Sequence, residues 1–122
     1  MYRIAKEFHF SASHQLLNLP DEHPCTRLHG HNYRVILELG AERLNAAGFV
    51  IDFGDLKPFK DYIDDTLDHR HLNDIFGPDV SPSAENIAAH LFDVALHLFG
   101  PITLSVTVYE TEKAYARYGP AD

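Results

Sequence analysis

The strongest constraint on the fold is a run of alternating apolar and polar residues between residues 29 and 42. Successive side chains of a β-strand point to opposite faces of a sheet, so this run predicts a strand with one buried face. The apolar face contains Tyr33, Val35, Leu37 and Leu39. His29 and His31 begin the run on that same face. The pattern therefore predicts a half-buried strand that carries two neighbouring imidazoles at its start.

These two histidines are candidate metal ligands, and Gly30 between them leaves room for close backbone approach. A catalytic zinc site typically has three protein ligands and an open fourth position. His14, at the end of an upstream strand-like segment, is the best third donor, since a hairpin would bring it beside the pair. The sequence therefore predicts that His14, His29 and His31 bind Zn²⁺.

Two other interpretations are open. Cys25, the single cysteine, could be a fourth ligand, which would close the site and make it structural. This is less favoured because Cys25 lies in a connecting loop and structural zinc sites usually contain several cysteines. The histidines could also be ordinary polar residues on half-buried strands. The combination of His-x-His with a nearby cysteine and an upstream histidine argues against that interpretation.

Length and composition limit the class of protein. A chain of 122 residues predicts one domain over residues 1–122. With 10 basic and 18 acidic residues the net charge is -8, which argues against a nucleic-acid or membrane partner. A single cysteine excludes an internal disulfide framework and suits a reducing compartment. Because the chain also has neither a long apolar run nor a signal-peptide pattern at its start, we expect a soluble cytoplasmic protein.

Periodicity predicts the remaining elements. Apolar residues at helical spacing between residues 56 and 67 predict a helix that Asp52 or Asp55 can cap. A second helix is predicted from Ser81–Pro82–Ser83 to Gly100, with His90 and His97 on its exposed polar face. Strands are predicted at residues 2–14, 29–42, 49–51, 102–111 and 115–118.

This order predicts an α+β domain, a four-stranded antiparallel sheet with two helices on one face (ββααββ). A sheet of this size has exposed edges that need either blunting or partners. Pairing of edges between subunits into a closed ring would solve this problem. We therefore expect an oligomer.

Asp68 and His69 lie between the two predicted helices, where a loop can bring polar groups to a site. An aspartate can fix the tautomer of a histidine, which can then relay a proton to or from a thiol. His71 could exchange roles with His69, and the sequence does not separate them. Asp-His is a common pair, so ordinary surface residues are the alternative.

Glu110 continues the apolar side of the last long strand, where burial of a carboxylate without a partner would be costly. One interpretation is that Glu110 accepts two parallel N–H bonds from the edge of a heterocycle, as carboxylates do with guanidinium groups. The other is that Glu110 lies in water at the end of the sheet.

Six motifs occur in order along nearly the whole chain: Phe10-x-Ala12-x-His14, Cys25-x-x-x-His29-Gly30-His31, Val50-Ile51-Asp52-Phe53-x-x-Leu56-Lys57, Leu67-Asp68-His69-x-x-Leu72-Asn73, Pro82-Ser83-Ala84-Glu85-Asn86 and Glu110-Thr111. Together they resemble the family of 6-pyruvoyltetrahydropterin and 6-carboxytetrahydropterin synthases, which have the tunnelling fold. The spacing of three residues between the cysteine and His-Gly-His resembles that of the 6-carboxy branch. Ser83 stands where the family usually has threonine.

The resemblance implies a role for each matching residue. His14, His29 and His31 match the zinc ligands, and Cys25 matches the catalytic proton acceptor. Asp68 and His69 match the relay partners of that cysteine. Glu110 matches the residue that anchors the pterin ring. Further substrate contacts are expected from Ser83, Glu85 and Arg27, with Lys113 and Arg117 as other candidates for the triphosphate.

The implied reaction converts 7,8-dihydroneopterin triphosphate to 6-carboxy-5,6,7,8-tetrahydropterin, acetaldehyde and triphosphate, in queuosine or related deazapurine biosynthesis. The resemblance also implies a hexamer of two stacked trimers, with a closed β-barrel and sites at subunit interfaces. Two alternatives stay open: the 6-pyruvoyl reaction on the same substrate, and a non-catalytic zinc module used for assembly.

Overall fold

Two long strands form the centre of the sheet. β1 (Tyr2–His14) and β2 (His29–Ala41) pair antiparallel along their whole lengths, so that His14 lies opposite His29. The computed structural model describes residues 1–120. In this range three further strands complete the sheet, namely β3 (Arg70–His71), β4 (Thr103–Thr111) and β5 (Ala114–Tyr118).

The sheet has five strands in the order β3-β1-β2-β4-β5, so the prediction of four antiparallel strands was wrong in number. The added strand is β3, whose two residues pair parallel with β1. All other neighbouring strands are antiparallel, as expected. A two-residue strand is too short to show a periodic pattern in the sequence. Its place in the sheet is set by its pairing with β1.

The predicted strand at residues 49–51 is absent from the described sheet. The side chain of Asn45 instead accepts hydrogen bonds from the backbone N–H groups of Ala47 and Phe49, at 3.0 Å each. This holds the chain in a turn, and Phe49 is exposed. Val50 and Ile51 still pack against the core, so their apolar character reflects burial and not strand pairing.

The first helical segment matches the predicted position but changes geometry along its length. It passes from a 3₁₀ turn (Phe53–Leu56) through α1 (Lys57–Tyr62) into a π-helical turn (Ile63–Leu67). Asp52 caps the start, accepting a 2.8 Å hydrogen bond from the N–H of Gly54. The predicted apolar stripe is buried as expected, and comprises Leu56, Phe59, Ile63 and Leu67.

A short helix, α2 (Leu72–Phe76), follows β3, and the long helix α3 (Ala84–Phe99) follows it. Ser83 caps α3 by accepting a hydrogen bond from the N–H of Asn86. The helix ends at Gly100, whose φ of +70° favours glycine. The predicted cap and end of this helix are therefore confirmed.

The buried core lies between one face of the sheet and the helices. Phe8 of β1 packs edge-on against Phe59 of α1, with ring centroids 5.1 Å apart. Leu98 of α3 is exposed, and a bulge in the β2–β4 ladder shifts the register between Glu38 and Leu39. Within residues 1–120, no helix has the length and apolarity needed to span a membrane.

Candidate metal centre and active site

The three predicted metal ligands come together at one end of the central hairpin. His14 and His29 are partners in the β1–β2 ladder, and His31 lies two residues further along β2. One ring nitrogen from each of the three lies within 4.8 Å of the others. His14 is fully buried, and the other two are partly buried. The ladder thus builds the cluster, since its register places three imidazoles at the same end of the hairpin.

Backbone carbonyl groups orient two of the rings. His14 Nδ1 lies 2.7 Å from the carbonyl oxygen of Pro82, and His29 Nδ1 lies 2.7 Å from that of Arg27. A carbonyl only accepts, so each Nδ1 carries the proton and donates it. Each Nε2 therefore keeps its lone pair, as metal coordination requires.

The nitrogen atoms that remain are suited to a metal ion. His14 Nε2 and His31 Nε2 are buried, and neither has a hydrogen-bond partner among the described residues. His31 Nε2 lies 3.3 Å from Glu110 Oε1, within the range of charge attraction, but in an orientation that does not form a hydrogen bond. Unpaired buried polar atoms are costly, and three imidazoles suit zinc and several other transition metals.

The same burial keeps these rings neutral. Desolvation lowers the pKa of His14, and the hydrogen bond to Pro82 opposes this only in part. Desolvation also lowers the pKa of His31, against the attraction of Glu110. A histidine binds a metal ion as the neutral imidazole. His14 and His31 are therefore in the form that binds a metal ion at neutral pH.

Cys25 lies in a 3₁₀ turn (Pro24–Thr26) and is partly buried. Among the described residues, its sulfur is not part of the group of ligand atoms within 4.8 Å of one another. The backbone places it near the cluster, because Leu16 N–H, two residues after His14, donates to the Cys25 carbonyl at 2.8 Å. This arrangement is consistent with an open metal site and a separate thiol.

Asp68 and His69 form a pair, as the sequence predicts. Asp68 Oδ2 lies 2.9 Å from His69 Nδ1, and Asp68 Oδ1 accepts a 2.9 Å hydrogen bond from the N–H of Ser11. The Ser11 hydrogen bond, followed by that to His69, holds the pKa of Asp68 below its usual value. His71 bonds to Ser13 Oγ instead, at 3.0 Å. The partner of Asp68 is therefore His69.

Among the described residues, the pair forms no hydrogen bond or ion pair with the three clustered histidines. In the described part of the structure, the side-chain bonds of Asp68 and His69 go to each other and to Ser11. The His69 side chain is 83% exposed. Its φ of +59° is unusual for histidine and is held by a 2.7 Å hydrogen bond from its N–H to the Ser11 carbonyl.

Comparison with known proteins identifies the family. The family model described as 6-pyruvoyl tetrahydropterin synthase matches residues 3–121. This chain belongs to the 6-pyruvoyl tetrahydropterin synthase family. A relative from Synechocystis sp. named 6-carboxy-5,6,7,8-tetrahydropterin synthase is 41% identical, covering 97% of this chain and 93% of the relative. Several further relatives carry that name, and the chain is an enzyme of the 6-pyruvoyl tetrahydropterin synthase family.

Two further comparisons agree. The human 6-pyruvoyl tetrahydrobiopterin synthase is 33% identical, covering 95% of this chain and 90% of that protein. The structure of the Caenorhabditis elegans 6-pyruvoyl tetrahydropterin synthase has a TM-score of 0.87 and 28% identity, covering 98% of this chain and 96% of that chain. The pterin-synthase fold expected from the motifs is thereby confirmed.

The residues of this pterin synthase that are expected to contact the substrate are spread over several elements, unlike the three clustered histidines. Ser83 is used as the cap of α3, and Glu85 is exposed in its first turn. Arg27 is exposed beside the metal cluster, where its carbonyl group binds His29. Arg117 forms an ion pair with Glu38 at 3.1 Å and is therefore less available to a phosphate.

Sequence reasoning missed two contributors to the site and misplaced one histidine. Tyr33 is buried, and its hydroxyl oxygen lies 3.3 Å from His14 Nδ1; its place on the His31 face of β2 was a usable signal. The Pro82 carbonyl left no signal, because every residue has one. His90 was expected at the surface, but it is half-buried and bonded to Tyr62 Oη because α1 and α3 pack together.

Proposed function

We propose that the chain is a zinc-dependent lyase that converts 7,8-dihydroneopterin triphosphate and one water molecule to 6-carboxy-5,6,7,8-tetrahydropterin, acetaldehyde and triphosphate. The observation that carries this proposal is the cluster of His14, His29 and His31, with two buried Nε2 atoms lacking partners beside Glu110. The product assignment is supported by the 41% identity to a relative named for the 6-carboxy product. The three-residue spacing after Cys25 supports the same branch.

The three histidines would hold zinc through their Nε2 atoms, with His14 and His29 fixed by the carbonyl groups of Pro82 and Arg27. When bound, zinc would supply Lewis-acid polarisation of the substrate's side-chain oxygen atoms. The partly buried position of the cluster would exclude much of the bulk water, which strengthens electrostatic interactions there.

Cys25 would act as the base that removes a proton from the substrate side chain. A thiol is an effective base only as its thiolate, and a nearby protonated histidine favours that form. His69 would exchange protons through Nε2, because its Nδ1–H is committed to Asp68. Asp68 stays ionised, since its pKa is lowered by the Ser11 N–H. It therefore fixes the tautomer of His69.

Glu110 would anchor the pterin ring by accepting a pair of parallel N–H bonds from it. This would orient the substrate side chain towards Cys25 and the three histidines, which is catalysis by positioning. We assign further substrate contacts to Ser83, Glu85 and Arg27. Because the chain has a net charge of -8, binding of the triphosphate needs a local positive charge, which Arg27 would supply.

We further propose that the enzyme is a single-domain cytoplasmic protein that assembles as a hexamer of two stacked trimers enclosing a β-barrel. Support comes from the exposed His69, whose bonds within one chain do not reach the metal cluster. A neighbouring subunit would bring the Asp68–His69 pair to the cysteine of the next chain. The product would serve queuosine or a related deazapurine pathway.

The second candidate is the 6-pyruvoyl reaction on the same substrate, which is supported by the 33% identity to the human 6-pyruvoyl tetrahydrobiopterin synthase. The test is incubation of the zinc-loaded protein with 7,8-dihydroneopterin triphosphate, followed by assays of acetaldehyde and of the pterin product. Release of acetaldehyde with the 6-carboxy product would support the proposal. A pyruvoyl product without acetaldehyde would overturn the product assignment, and zinc binding without turnover would favour a non-catalytic assembly module.

A further inference from the structure

The side chain of Asn73 binds both backbone groups of Gln15. Asn73 Oδ1 accepts a hydrogen bond from the Gln15 N–H at 2.8 Å, and Asn73 Nδ2 donates to the Gln15 carbonyl at 2.8 Å. This is the pair of bonds that a neighbouring strand would provide. β1 ends at His14, one residue earlier, so the amide of Asn73 continues the pairing where the strand stops.

Gln15 links the metal cluster to the cysteine. It follows His14 directly, and the next residue, Leu16, donates its N–H to the Cys25 carbonyl at 2.8 Å. The Gln15 side chain also donates to the carbonyl of Thr26, beside Cys25, at 3.3 Å. The side-chain amide of Asn73 therefore holds the short segment between His14 and Leu16. His14 is a proposed metal ligand, and Leu16 is hydrogen-bonded to the loop that carries Cys25.

We propose that Asn73 is a positioning residue that sets the separation between the His14 imidazole and the Cys25 thiol. It would act through the backbone of Gln15 and Leu16, without touching the substrate. The proposal rests on the roles assigned above to His14 and Cys25. Catalysis is sensitive to such positioning, because a displacement of about 1 Å can lower a rate by roughly a hundredfold.

The same segment has a second, independent anchor. Leu17 N–H donates to Ser81 Oγ at 3.0 Å, and the Pro82 carbonyl accepts the hydrogen bond from His14 Nδ1. These contacts come from the loop before α3 and do not involve Asn73. Loss of the Asn73 amide should therefore loosen the spacing of the segment without releasing it from the fold.

The test compares Asn73→Ala and Asn73→Asp with the wild-type protein. The zinc affinity of the metal-free protein is measured by competition with a chromophoric chelator. The kinetic constants kcat and KM are measured with the pterin triphosphate as substrate. Asn73→Ala should weaken zinc binding about tenfold, as expected when support of a ligand is lost. It should also lower kcat by about tenfold or more while KM changes by less than about twofold.

Asn73→Asp keeps an acceptor for the Gln15 N–H but sets an oxygen against the Gln15 carbonyl. It should change zinc affinity and kcat in the same direction, and it decides the question if Asn73→Ala does not fold. Asn45→Ala is the matched control, because the Asn45 side chain also makes two bonds to backbone N–H groups. Asn45 lies beyond the far end of β2 from the histidines, so its loss should leave both quantities unchanged.

Unchanged zinc affinity and kcat in a folded Asn73 variant would overturn the proposal, even if its thermal midpoint falls. Losses of zinc affinity and kcat in Asn45→Ala equal to those in Asn73→Ala would also overturn it, by showing that they come from a general loss of stability. Failure of the wild-type protein to bind zinc is a separate result, which would refute the proposed metal site and this inference together.

Discussion

The Nδ1 of His14 lies 2.7 Å from the carbonyl oxygen of Pro82, although 68 residues separate the two in the chain. The opposite tautomer of His14 would place a lone pair against that carbonyl group. The contact therefore selects the tautomer whose Nε2 is directed to His29 and His31. The loop that leads into α3 thus helps to orient a candidate metal site whose three histidines all come from the central hairpin.

We expect His14→Ala to reduce zinc affinity by more than the roughly 10- to 100-fold that is typical of changes outside the ligands themselves. Zinc at about 100 times its dissociation constant stabilises a folded protein by about 2.7 kcal/mol. Thermal denaturation should therefore show a zinc-dependent rise of the midpoint in the wild-type protein and little rise in the variant. His97→Ala, an exposed histidine on α3, is the control. Equal midpoint shifts in His14→Ala and wild type would contradict the metal site.

Asp68→Asn should lower kcat by about 10²- to 10⁴-fold, the range for loss of a proton-transfer group. The amide oxygen can still accept from the Ser11 N–H, so the fold should be kept. What is lost is the negative charge that orients His69. Steady-state kinetics at matched zinc content measure the effect, with the exposed Asp79→Asn as control. Wild-type kcat in Asp68→Asn would exclude a relay role.

Stability of the metal-free protein should fall as the pH drops below about 6.5, in part because of His90. Burial lowers the pKa of this histidine from 6.5, with Asp93 opposing the shift. The unfolded chain then binds the proton more readily than the folded protein does. The ring lies in a packed environment, with its Nε2 2.5 Å from Tyr62 Oη.

His90→Gln should therefore lose less stability than the wild type between about pH 7 and pH 5, since this titration is absent. Urea denaturation at several pH values, without metal, measures the difference. His97→Gln carries the same substitution on an exposed site of the same helix and should follow the wild-type curve. If the stability of His90→Gln changed with pH in parallel with that of the wild type, burial of His90 would have no effect on the pH dependence of stability.

Gly119→Ala should destabilise the protein by about 1–3 kcal/mol, because there is no space for the added methyl group. A Cβ at this position would lie 2.2 Å from the carbonyl oxygen of Leu104 and 3.1 Å from Ser105 Cα. Both are backbone atoms that cannot move aside cheaply. Gly54→Ala is the control, since its nearest neighbour is a side-chain oxygen of Asp52 at 3.3 Å. Equal denaturation midpoints for Gly119→Ala and wild type would contradict this packing.

The regular parts of the fold were predictable from sequence. Alternation in β2 placed Tyr33 and its apolar neighbours on the buried face, and the ladder then brought the three histidines together. Irregular features were not predictable. The bulge opposite Glu38 and the pairing of Arg70 and His71 with β1 depend on contacts between distant segments, which local periodicity does not contain.

The candidate site shows the same division. Side chains with distinctive chemistry, such as Cys25 and Glu110, could be selected from the sequence. The environment of His90 depends on how two helices pack, and the contact of His14 depends on a backbone carbonyl that any residue would offer. The exposed position of His69 likewise depends on where β3 joins the sheet.

The position of the Asp68–His69 pair depends on the number of residues in the π-helical turn (Ile63–Leu67) that comes directly before it. Its last hydrogen bond runs from the Asp68 N–H to the Ile63 carbonyl at 2.9 Å, one residue wider than in an α-helix. Each residue of an α-helix turns the chain by about 100°. Deleting one residue here would leave Asp68, His69 and Ser11 in the chain, yet it would swing the Asp68 carboxylate away from Ser11. We therefore expect a change in the length of this turn alone to abolish the activity of the enzyme.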